Sequence, residues 1–160
     1  MTDTLRSICE QCTHLSNPQL DFIPDELRRH KEIILRDLAE LVFAASAELK
    51  KSVVCLAGSV LEGVLFGFLK GQEPYISARR EAEFVVDPEE SLQTYVNVFN
   101  RYFSNQFPKD LLPDFLVAYR DLIHINHEVE ASPQVCYEAS RNMLRILDTL
   151  LGELTQAAGL

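Results

Sequence analysis

Ten consecutive residues, Tyr119-Arg120-Asp121-Leu122-Ile123-His124-Ile125-Asn126-His127-Glu128, gather one arginine, two histidines and two carboxylates. No other stretch of the chain concentrates groups suited to acid–base chemistry. An imidazole titrates at about pH 6.5, so it can take and return a proton at neutral pH. A guanidinium beside it can hold a phosphate through paired hydrogen bonds and stabilise developing negative charge. Together they suit cleavage of a phosphodiester without a metal. At about 100° per residue, Arg120, His124 and His127 share one helical stripe. It borders the apolar face formed by Leu112, Phe115, Leu116, Tyr119, Leu122 and Ile123. A structural role fits the same residues. Arg120 can pair with Asp121, Glu128 or a neighbouring helix, and the histidines can cap a helix C-terminus.

Other residues carry weaker signals. Glu62 lies with Ser59 in an otherwise apolar segment, and a buried carboxylate needs a partner or a shifted pKa. It either makes a hydrogen bond at a helix–helix contact or pairs with Arg120 or a histidine across the bundle. Cys9-x-x-Cys12-x-His14 has half the spacing of a zinc site, but no second paired set accompanies it. On a helix, Cys9 and Cys12 share a face and pack as small hydrophobes. Arg79-Arg80 and Arg28-Arg29-His30 can hold a nucleic acid, but acidic neighbours make a solvated face the simpler reading. A glycine-rich phosphate loop, a G-x-S-x-G elbow, an H-E-x-x-H pair and a di-iron E-x-x-H pattern are all missing. The sequence therefore gives no reason to expect a cofactor.

Helical periodicity runs through the elements that must position these groups. Residues 4–14 form a short first helix, stopped by Asn17-Pro18. Pro24-Asp25-Glu26 starts a second over about 24–48, with Leu27, Ile34, Leu38, Leu41 and Ala45 on its inner face. The third, about 50–70, is apolar nearly all round, which marks a central helix. Gly58, Gly63 and Gly67 each weaken it by about 1 kcal/mol relative to alanine, and imply close approach of a neighbouring helix, in this domain or in a second subunit. Gly71 fits the C′ position that ends it. Residues 72–87 read as a loop or short helix. Pro88 opens a fourth helix, Pro108 restarts the chain, and Ser132-Pro133 caps and starts the last. No segment alternates at period two. The fold expected is an all-α up-down bundle of five or six helices in a single domain over 1–160, with residues 1–22 as N-terminal helix and loop and 24–157 as the bundle.

The 160-residue chain is 47% apolar and 24% charged, enough for an ordinary globular core. Its formal net charge of −9 argues against wrapping long DNA, though not against a few arginines gripping one phosphate. The start Met1-Thr2-Asp3-Thr4 does not read as a signal peptide, so a cytoplasmic protein with reduced thiols is expected. The apolar run Val53–Leu69, interrupted by Ser59 and Glu62, reads as a core helix, not a membrane span.

Three segments together resemble the HEPN superfamily: Arg36-Asp37-Leu38-Ala39-Glu40-Leu41, Ala57-Gly58-Ser59-Val60-Leu61-Glu62-Gly63-Val64-Leu65, and Arg120-Asp121-Leu122-Ile123-His124 with Glu128. The resemblance covers about residues 30–155. It implies a helical bundle that forms a homodimer and binds no membrane. Many relatives are metal-independent endoribonucleases of toxin–antitoxin, phage-defence or CRISPR-linked systems, with arginine and histidine in a cleft at the dimer interface. Others are inactive and act as RNA-binding or protein-interaction modules, so an RNA substrate, a protein partner or an antitoxin are the expected partners. By this resemblance Arg120 grips the scissile phosphate. His127, with six residues between it and Arg120, or His124, at the shorter spacing, is the general base toward the ribose 2′-hydroxyl. Glu62 or Asp121 orients the imidazole. The family's asparagine and proline are here Asp121 and Ile125.

Overall fold

The computed structural model describes residues 3–114, 116 and 133–158. Among them the chain forms α1 (Leu5–Gln11), α2 (Thr13–Ser16), a 3-10 turn (Asp25–Leu27), α3 (Arg28–Ser46), α4 (Lys50–Gly71), α5 (Glu73–Arg80), α6 (Leu92–Phe103) and α7 (Pro133–Ala158), with no strand. The all-helical architecture is thus the one that the periodicity predicts.

α4 is the central element. It has 22 residues, a length and composition sufficient to cross a membrane. Twelve of them are buried in the fold, because α3, α6 and α7 pack around it. Its aromatic end forms one cluster, in which the Phe68 ring lies 5.0–6.5 Å from those of Phe22, Phe99, Phe103 and Phe107. Close approach is observed at two of the glycines. A Cβ on Gly67 would stand 2.8 Å from Ile23 Cγ1 and Cδ1, and one on Gly63 would stand 3.1 Å from Ile34 Cγ1. Glycine lets these isoleucines pack directly on the α4 backbone.

Several boundaries differ from expectation. The first helix is broken at Cys12, where α2 begins anew because Asp148 of α7 accepts from the backbone N–H of His14 (2.8 Å) and Leu15 (3.2 Å). Gly71 is the last helical residue rather than a left-handed C′, and α5 follows after Gln72. α6 starts four residues after Pro88, because Ser91 caps it by accepting from Thr94 N–H. The helix expected around 112–123 falls almost wholly outside the described residues, as does the Ser132 cap.

Candidate functional site

Arg120, Asp121, His124, His127 and Glu128 lie outside the described residues; of the proposed constellation only Glu62 lies within them. Glu62 is half-buried on α4, one turn before Phe66. Its carboxylate is close enough to Tyr95 of α6 to act on the phenol electrostatically. Burial first, then Asp87, with Glu62 and Glu90 adding to it, holds the Tyr95 hydroxyl above its ordinary pKa. That hydroxyl donates to the Asp87 carbonyl at 2.7 Å and so stays a donor at neutral pH. His30 of α3 stacks on Phe66, with ring centroids 4.9 Å apart and planes 28° from parallel. Phe66 in turn contacts the Tyr95 ring at 6.1 Å. Three helices therefore bring a carboxylate, an imidazole and a phenol to one wall.

The sequence reading grouped His30 with a solvated basic run and did not see it as part of this wall. The signal was available. His30 precedes Ile34 by one turn, on the stripe that continues through Leu38 and Leu41 to the core. Arg28 and Arg29 point away from it, both toward Glu32.

A cleft of about 720 Å³ lies between the end of α6, residues 104–114 and α7. Phe99, Phe107 and Ile146 line it with Asn100, Lys109 and Arg145. Its rim includes Pro113 and Asp114, where the chain runs on toward Arg120. The size is that of an ordinary ligand cleft, with an apolar floor and a few polar groups.

Cys9 and Cys12 are buried among apolar side chains. Burial, with Asp148 adding repulsion, pushes the Cys12 thiol up to about 12, and Cys9 is raised for the same reasons. Both are protonated at neutral pH and unsuited to metal binding, which requires thiolate. No cluster of three or more candidate metal ligands occurs among the described residues.

Comparison of the chain with protein-family models, with curated proteins and with solved structures finds no match in any of the three.

Proposed function

We propose that the chain is a homodimeric, HEPN-like protein directed at RNA. In this reading Arg120 binds the scissile phosphate. His127, or His124 at the shorter spacing, withdraws the proton from the ribose 2′-hydroxyl, which attacks phosphorus. The 5′-oxygen leaves with a proton, and a 2′,3′-cyclic phosphate remains. The observation that carries the reading is the Arg120-x6-His127 spacing in a chain whose central helix holds a half-buried carboxylate, Glu62, beside the Tyr95 phenol. The test is cleavage of a mixed RNA pool in EDTA. Cutting abolished by both Arg120→Ala and His127→Ala supports the reading. Cutting that survives only in His127→Ala moves the base to His124. Expression of an active protein should also be toxic to its host, and Arg120→Ala should relieve that toxicity.

The homodimer rests on the face shared by α3 and α4. Phe43 is 71% and Leu49 48% exposed. With Ala39, Glu40, Ala44, Ser52 and Leu56 they line a shallow groove of about 430 Å³. An exposed apolar face of this kind suits a contact between two copies of the chain.

The second reading is an inactive HEPN-like interaction module. Asp121 favours it, because a carboxylate next to Arg120 repels phosphate and can neutralise the guanidinium. A well-folded protein that leaves RNA intact, and loses stability in Arg120→Ala, would establish it.

A further inference from the structure

Two kinds of contact recur among the described basic side chains. Arg6, Arg28, Arg29, Lys31, Arg36 and Lys70 each lie within 2.5–3.5 Å of a carboxylate oxygen. Arg79, Arg80 and Arg101 have no such partner among the described residues. Each guanidinium instead lies over an aromatic ring: Arg79 over Tyr75 at 5.0 Å, Arg80 over Phe84 at 6.0 Å, Arg101 over Tyr102 at 5.5 Å. A fourth, Arg141 of α7, lies over Tyr137 at 5.9 Å, whereas the first three belong to α5 and the last turn of α6. Tyr75 of α5 stacks on Phe103 of α6 at 5.3 Å, next to Tyr102. Gln106, just after α6, donates to the Tyr75 hydroxyl. The loop carrying Gln106 also walls the cleft that holds Lys109 and Arg145.

From this arrangement we infer that the α5/α6 end is a binding surface for single-stranded RNA, leading a strand over Tyr75 and Gln106 into the α6/α7 cleft. A guanidinium held flat on a ring leaves its N–H edge for phosphate, and rings and guanidinium planes offer a stacking face to unpaired bases. Glu81 and Glu83 follow Arg80 directly, so the net charge of the patch is modest. Stacking carries more of the affinity here than in a lysine-rich groove. The surface rests on the reading that the ligand is RNA.

The test is fluorescence anisotropy with a 5′-fluorescein oligouridine of about twelve nucleotides, in EDTA across a salt series. The triple variant Arg79→Ala/Arg80→Ala/Arg101→Ala should bind at least about tenfold more weakly. Its salt slope should be shallower by about 2, at about 0.7 per phosphate contact. Arg6→Ala/Arg28→Ala/Arg29→Ala removes the same charge from carboxylate-paired positions and should stay within about twofold of the parent. Equal losses in the two triples, or no binding by the parent at low salt, overturn the inference. Its failure is separable from that of the nuclease reading. RNA bound but left intact sinks catalysis and keeps the surface. RNA cut with KM unchanged in the first triple keeps catalysis and sinks the surface.

Discussion

Glu48 adopts a left-handed backbone, φ 57°, in the turn between α3 and α4. Its carboxylate reaches the start of α1, accepting from Leu5 N–H and Arg6 N–H, both at 3.0 Å. α1 thus has two caps, Thr4 immediately before it and Glu48 from 43 residues away. Glu48→Ala should lose about 1–2 kcal/mol, the worth of a helix cap. Glu48→Gly loses the same cap but relieves the left-handed strain, so it should be milder by up to about 1 kcal/mol. Urea denaturation of the two variants checks the order; an Ala variant as stable as the Gly variant would deny the strain. Cys12 gives a prediction in pH. The unfolded thiol ionises near its ordinary 9.0 and the folded one near about 12. Because the folded state holds the proton more tightly, this contribution is complete below the unfolded value and is lost as pH rises toward the folded one. The urea midpoint of the parent should fall more steeply above about pH 9 than that of Cys12→Ala. Parallel curves would mean that the thiol ionises freely in the fold. None of this was legible in the sequence. Caps supplied from 43 and 134 residues away, by Glu48 and Asp148, leave no local pattern around Leu5 or His14.

α3, α4 and α7 were readable as helices because their apolar residues repeat at three and four over long spans, and α4 was readable as central because it is apolar all round. What local pattern could not supply was the choice among competing starts. Pro88 and Ser91 both suit a helix N-terminus, and the hydroxyl that actually reaches a backbone N–H decides in favour of Ser91. Likewise the glycines of α4 announced close approach of a neighbouring helix, which holds at Gly63 against α3 but not at Gly67, where the neighbour is in the loop before α3. The neighbours prove to be Ile23 and Ile34, single side chains rather than a crossing helix backbone. These contacts predict opposite outcomes for one substitution at two sites. Gly67→Ala gains about 1 kcal/mol of helix propensity but drives a methyl against three Ile23 carbons at 2.8–3.0 Å. It should be destabilising by about 1–3 kcal/mol overall, and Ile23→Val should recover part of the loss. Gly63→Ala meets only Ile34, at 3.1 and 3.3 Å, and should be close to neutral. Thermal unfolding of both variants is the check; equal effects would mean that Ile23 relaxes as readily as Ile34.

For the molecule as a whole, periodicity foretold an all-helical fold but said nothing about which surface is left uncovered. Phe43 follows Leu41 in the sequence and looks like another core residue, yet the α3 wheel turns it outward with Ala39 and Glu40. Phe43→Arg should convert a dimer into a monomer with little change in unfolding midpoint per chain, as measured by sedimentation equilibrium. A parent that sediments as a monomer would remove the two-fold contact from the proposal. The N-terminal arm has a consequence of a different kind. Asp148 caps α2, the Tyr137 hydroxyl donates to the Asp3 carbonyl, Thr155 Oγ1 donates to the Gln19 carbonyl at 3.3 Å, and the His14 ring packs on Gly152. α1 and α2 thus divide their partners between α3 with Glu48, a few tens of residues on, and α7, more than a hundred residues further along. The cover that α7 gives Leu5, Ile8 and Leu15 is the part that forms latest during synthesis. Translation halted before residue 133 should therefore leave this arm docked on α3 along one side and bare along the other, and a protease should nick it there faster than in the completed fold.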